Sequence, residues 1–141
     1  MVTILTLAHS TIGTVDVFAN SVTVSGKKNN IVKPRVNGDD LAYVQTQSYE
    51  NLKYIISGVN FTGVAGSFAY TDLLELYKVK YDGTNPIIMR VVYGNNITLP
   101  NLSEATTGIY VMLDDFSFPI DVTATKDGYI PKASLTFTET K

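Results

Sequence analysis

The sequence predicts a mostly β protein of the α+β type, with two packed antiparallel sheets (a sandwich or a partly open barrel) and one short flanking helix at about residues 72–82. Three observations lead there. The 141-residue chain carries nine Tyr and six Phe among many Val, Ile and Thr, residue types that fit a pleated, half-buried surface. Most apolar segments alternate with a period of two and are punctuated by turn residues. One segment alone has helical composition with start and stop signals around it.

The elements follow in order. Met1 to His9 reads as a first strand. Gly13 to Phe18 and Val22 to Ser25 flank a short connection at Ala19-Asn20-Ser21, and Gly26-Lys27-Lys28-Asn29-Asn30 reads as a polar loop. Ile31 to Val36 and Leu41 to Thr46 flank Asn37-Gly38-Asp39-Asp40, a strong hairpin turn signal. Pro34 lacks an N–H for a ladder, so this hairpin belongs at a sheet edge or protrudes. Tyr54 to Phe61 is a further strand, and Gly63 to Ser67 is a loop.

Asp72 and Glu75 have the spacing of a capping box, with Asp in the Ser/Thr position. Leu73, Leu74, Leu76, Tyr77 and Val79 follow, and Lys78 and Lys80 complement the negative end of the helix dipole. Gly83 and Pro86 stop the helix. About ten residues are too few to stand alone, so this helix must pack on a sheet.

Ile87, Met89, Val91 and Tyr93 share one strand face, and Ile88, Arg90 and Val92 the other, which predicts a strand buried on both faces. Gly94-Asn95-Asn96 closes it with a turn. Ile109, Val111 and Leu113 alternate in one phase, whereas Phe116, Phe118, Ile120 and Val122 alternate in the other. A β-bulge or tight bend at Asp114-Asp115 keeps both sets facing inward. Ala133, Leu135 and Phe137 alternate with Ser134, Thr136 and Thr138 in a final strand. With no linker or repeat, residues 1–141 read as a single domain.

Composition narrows the function. Thirteen acids and eleven bases leave a net charge of −2, so no global basic field draws nucleic acid or an anionic membrane. The charged fraction of 17% lies below the average of about 25% and is too low for a disordered chain of this hydrophobicity. The absence of cysteine excludes disulfides, thiolate nucleophiles and Cys-ligated zinc. The apolar N-terminus lacks the charge pattern of a signal peptide, so synthesis in the cytosol is the expectation. No apolar run reaches the roughly 18 residues that a membrane-crossing helix needs. Three Asn-x-Ser/Thr sequons begin at Asn60, Asn96 and Asn101, as a Thr- and Asn-rich chain produces by chance.

Catalytic, cofactor-binding and metal-binding residues are all expected to be absent. His9 is the only histidine, and no Ser-His-Asp arrangement surrounds it; it reads as a surface or packed residue. Asp114-Asp115 reads as a turn or bulge, because adjacent strand residues point to opposite faces unless the chain bends. Asp39-Asp40 and Asp115 with Asp121 lack calcium-loop spacing. Lys27, Lys28, Lys33 and Arg35 form a local basic patch. It serves either an acidic partner or nucleic acid, or else a solvated hairpin whose lysines discourage edge-to-edge aggregation. Aromatic residues that would stack on bases are missing from that loop.

The order of motifs from residue 54 onward resembles a pattern among tail proteins of tailed bacteriophages and prophages. It comprises Ile55-Ile56-Ser57-Gly58-Val59, then Asp72-Leu73-Leu74-Glu75-Leu76-Tyr77, then Pro86 to Gly94, then Gly108 to Phe116, and finally Ala133 to Thr140. Lys33-Pro34-Arg35 followed by Gly38-Asp39 resembles tail proteins more weakly, and residues 1–53 otherwise fall outside the match. The series looks like the β-fold of tail tube, tail terminator and distal tail or baseplate adaptor proteins. That resemblance implies a homo-oligomeric ring, often hexameric, stacked on neighbouring tail proteins, with no catalytic residue and no cofactor. It further implies a virion tail location after synthesis in the host cytoplasm, no small-molecule substrate or membrane, and nucleic acid only passing through the lumen. Asn37, Gly38, Asp39 and Asp40 are then the candidate subunit-contact hairpin. Thr123 to Tyr129 also resembles the Lys-Asp-Gly-Tyr turn of transthyretin-like sandwich modules, and the alternative is a carbohydrate-binding or adhesion module.

Overall fold

A computed structural model describes residues 3–33, 43–61, 64–81, 83–92, 98–103, 107–120 and 133–140. The protein is mostly β, with two antiparallel sheets and one short helix, as the sequence predicts. The strands are β1 (Thr3–His9), β2 (Gly13–Phe18), β3 (Ser21–Ser25), β4 (Lys28–Lys33), β5 (Tyr43–Tyr49) and β6 (Lys53–Ser57). Helix α1 (Tyr70–Lys78) comes next, then β7 (Ile87–Val91), β8 (Ile109–Ser117) and β9 (Ser134–Glu139). The larger sheet has the order β2-β1-β7-β8-β9-β6-β3, and the smaller one pairs β4 with β5.

The larger sheet is strongly curled. Strands β2 and β3 lie at its opposite edges, yet only Ala19 and Asn20 separate them in sequence. Three chain steps reach about 11 Å at most, so the two edges must approach each other. Asn20 N–H donates to the Ser57 carbonyl at 2.9 Å, and Asn60 N–H donates to the Phe18 carbonyl at 2.8 Å. These bonds pin the corner without completing a ladder, and the sheet is not closed into a barrel. Gly58 at this corner has φ +73°, and a Cβ there would fall 2.3 Å from the Asn20 side chain. Only glycine meets both demands.

The core lies on the concave face. Leu5, Leu7, Val15, Val17, Tyr54, Ile56, Ile87, Met89, Val111, Leu135 and Phe137 are buried there, with Leu73 and Leu76 of α1 above them. Register makes this one surface. Leu7 stands opposite Met89, Ile87 opposite Val111, Leu113 opposite Phe137, and Ile56 opposite both Leu135 and Val22.

Strand β8 keeps its apolar side inward through the bulge that its change of phase predicts. Leu113 pairs with Phe137 and Asp115 with Thr136, leaving Asp114 as the extra residue. Ile109 and Val111 before it, and Phe116 and Phe118 after it, all belong to the core or pack against it. The inward set ends there: Ile120 is 87% exposed, because β8 stops at Ser117. Asp121 and Val122 fall outside the described residues.

Other elements differ from expectation in bounds. The helix begins two residues earlier and ends at Lys78, with Ala69 as N-cap. Asp72 is therefore the third helical residue, and its Oδ2 accepts the Ala69 N–H at 3.0 Å. This is the return half of a capping box, satisfied without a capping side chain at Ala69. Strand β7 is buried at Ile87 and Met89 but exposed at Ile88 and Arg90, because α1 lies on one side of the sheet only. His9 is packed, at 6% exposed, with Nδ1 accepting the Thr11 N–H at 3.2 Å.

Deleting Asp114 should reverse the facing of Phe116 and Phe118 and cost on the order of 3 kcal/mol or more. Asp114→Ala keeps the extra residue and loses only the bond from the Thr138 hydroxyl, so it should cost less than about 1 kcal/mol. Urea denaturation of the two variants measures the difference.

Candidate interaction site: the β4–β5 arm and the cleft at its base

Strands β3 and β4 are consecutive, as are β5 and β6, and the four make one long hairpin. Its inner half, β3 with β6, belongs to the large sheet. Its outer half, β4 with β5, leaves that sheet as a two-stranded arm. Glu50 N–H donates to the Lys27 carbonyl at 2.8 Å and joins the halves. Six residues of β4 extend about 20 Å at the usual strand rise. The expected polar loop at residues 26–30 is instead the root of this arm. Asn and Lys there tolerate a strand because cross-strand side-chain bonds replace burial: Asn29 Nδ2 donates to Ser48 Oγ at 3.0 Å, and the Thr46 hydroxyl donates to Asn30 Oδ1 at 2.8 Å.

Every side chain of the arm described is exposed. Among them are Ile31 and the cross-strand pair Val32 and Val44, the latter two 65% and 58% exposed. An isolated two-stranded ribbon is at best marginally stable in water, and this one has no packing layer among the described residues. Its charge is one-sided. Lys27, Lys28 and Lys33 lie along β4 and its root, and neither strand contains an acid. Three of the four residues of the expected basic patch thus lie along one element, but Lys27 and Lys28 stand at one end of β4 and Lys33 at the other, about 17 Å apart at the usual strand rise. Arg35, Pro34 and the candidate contact residues Asn37, Gly38, Asp39 and Asp40 lie outside the described residues. So does the turn at residues 123–129.

A cleft of about 250 Å³ opens at the arm's base, lined by Tyr49, Asn51, Leu102, Ser103, Glu139 and Thr140. Sequence reasoning missed it, since Glu139 reads as one more polar residue near the chain end. The signal was its phase: Leu135, Phe137 and Glu139 alternate on the inward face of β9. Glu139 is 3% exposed. Its carboxylate accepts the Leu102 and Ser103 backbone N–H groups, each at 3.0 Å, and the Tyr54 hydroxyl at 3.2 Å. The same hydroxyl lies 2.9 Å from the Pro100 carbonyl. These bonds staple residues 100–103 to β6 and β9 and supply the donors that a buried carboxylate requires. All are neutral groups, so the negative charge of Glu139 has no cationic counterpart among the described residues.

Burial, followed by the charge and hydrogen bond of Glu139, pushes the Tyr54 hydroxyl far above its ordinary pKa of 10.0. The folded state therefore holds the neutral phenol, and the stability this contributes is complete below pH 10 and is lost as pH rises beyond it.

Among the described residues no group of three or more His, Asp or Glu is placed to hold a metal ion. No helix described is long and apolar enough to cross a membrane. Of the sequons, Asn60 is 5% exposed and cannot carry a glycan in the folded chain. Asn101 is half-buried and donates to the Leu99 carbonyl at 3.1 Å, and Asn96 lies outside the described residues. No known protein-family model matches the chain, and no curated protein matches it either.

Tyr54→Phe should cost about 1–2 kcal/mol at neutral pH, through the hydroxyl bonds it removes. It should also flatten the decline in stability between about pH 10 and 12, because the variant has no phenol to ionise there. Urea denaturation of both proteins across that range gives the comparison.

Proposed function

We propose that the protein is a structural subunit that assembles with copies of itself, in the manner of a ring in a phage tail or phage-like particle. The observation that carries this reading is the arm. It is an extended ribbon with both faces in water, yet it displays Ile31, Val32 and Val44. Among the described residues nothing packs on it, and burial against another molecule would stabilise such an element. Its backbone edges offer main-chain hydrogen bonds to a further strand. The curled sheet supplies a rigid body that does not depend on the arm, since no described side chain of β4 or β5 belongs to the core. The order of strands and helix that resembles tail tube, terminator and adaptor proteins supports the same reading, with a neighbouring copy as the first partner. In this reading the work done is mechanical, and no side chain acts as a catalyst.

Static light scattering across a concentration series tests the proposal. The intact chain should form a species several-fold heavier than one chain. Residues 27–51 replaced by an Asn-Gly turn should leave a folded monomer, because Gly26 and Leu52 adjoin the paired Ser25 and Lys53 at the root and that turn closes two-residue hairpins. An intact chain that stays monomeric at high concentration would overturn the reading. So would an armless chain that still assembles.

A further inference from the structure

The two flanks of the arm are unlike, and the difference points to a particular contact. Strand β6 lies between β3 and β9 in the large sheet. Since β4 continues β3, the flank of β5 away from β4 continues the lane occupied by β9. That lane is filled as far as the arm's base, where Glu139 N–H donates to the Leu52 carbonyl and Asn51 Nδ2 donates to the Glu139 carbonyl, each at 2.8 Å. Beyond that point no described strand pairs with β5 on this side, and its outward backbone groups have no partner among the described residues. The cleft lies at the step where the lane empties, between Tyr49 of β5 and Thr140 after β9.

We propose that strand β4 of a second copy fills this vacated lane, running antiparallel to β5, with its Lys27 and Lys28 at the cleft beside Glu139. The inference rests on the assembly reading above and specifies its contact. Polarity supports it. Within one chain Lys28 stands opposite Tyr49, so any copy of β4 laid antiparallel on the other flank of β5 in like register brings the same lysine to the Tyr49 end, where the cleft is. Length supports it, with six residues of β4 against seven of β5. Charge supports it as well. Among the described residues of its own chain Glu139 faces only neutral donors, and the incoming root supplies cations.

The same charges select the symmetry. Two copies joined β4 to β4, antiparallel and in full register, would set Lys28 of each against Lys33 of the other at both ends of the pair, which like-charge repulsion opposes. Joining β4 to β5 sets those lysines against an uncharged strand. That contact is heterologous, using different surfaces on the two copies, and repeats of it close into a ring or extend as a helix instead of stopping at a dimer. The arms alone would then alternate β4-β5-β4-β5 around the assembly.

Charge exchange across the contact tests this. Ser103 is exposed on the cleft wall, and Lys28 is exposed on the arm, so substitutions there leave the core intact; circular dichroism verifies that. Ser103→Lys and Lys28→Glu should each raise the concentration needed for assembly about tenfold or more, as loss or repulsion of one charge pair predicts. The double variant S103K/K28E should recover most of that loss. The chain lacks cysteine, so a mixture of Lys28→Cys and Ser103→Cys chains treated with copper–phenanthroline, which takes up the two electrons, should also form an intermolecular disulfide that neither forms alone. Three outcomes overturn the contact: assembly indifferent to both charge changes, no recovery in the double variant, or Lys28→Cys chains that cross-link to each other. If any of these accompanies loss of assembly in the armless chain, the arm reading survives and only its docking place is wrong. A monomeric parent chain removes both.

Discussion

Two residues, Ala19 and Asn20, join the opposite edges of a seven-stranded sheet, and the rest of the molecule follows from that short connection. A flat sheet of seven strands at the usual spacing would be roughly 30 Å wide. Three chain steps cannot bridge that distance, so the sheet must curl until its edges meet. Curling makes one face concave. Apolar side chains from all seven strands and from α1 then share a single core. Gly58 is required where the corner closes, and the bulge at Asp114 gives β8 the local bend and phase change that a strand in the middle of a curled sheet needs.

The same corner places the arm. Because β3 begins immediately after the turn, it forms the sheet edge, and among the described residues its continuation β4 pairs only with β5, the extension of β6. A strand that outruns its sheet must end, bind a partner or carry its own protection. Here β4 carries lysines and β5 carries none. Among the described residues one flank is guarded and one is open, and the open flank leads directly to the cleft where Glu139 holds residues 100–103 in place.

This division of labour separates stability from interaction. The core, the Glu139 staple and the aromatic rings around the helix hold the body together. Phe61 and Tyr70 stack with centroids 4.2 Å apart, and Tyr77 meets Phe116 edge to face at 5.2 Å, which ties the ends of α1 to the strands beside it. None of these groups lies on the arm. Changes in the arm can therefore alter association without unfolding the chain.

The sequence by itself determined the β class, the short helix, the bulge and the alternating inward faces, because these depend on periodicity, propensity and turn chemistry between near neighbours. Even the phase change at Asp114 was legible, since a one-residue slip moves every later side chain to the opposite face. Only the tertiary structure decided which strands lie side by side, that residues 26–30 root an arm, that β7 is covered on one face, and that Glu139 is buried under Leu102 and Ser103. Those outcomes depend on contacts between residues far apart in the chain, such as Glu139 with Ser103 or Asn20 with Ser57, whose partners no local pattern names.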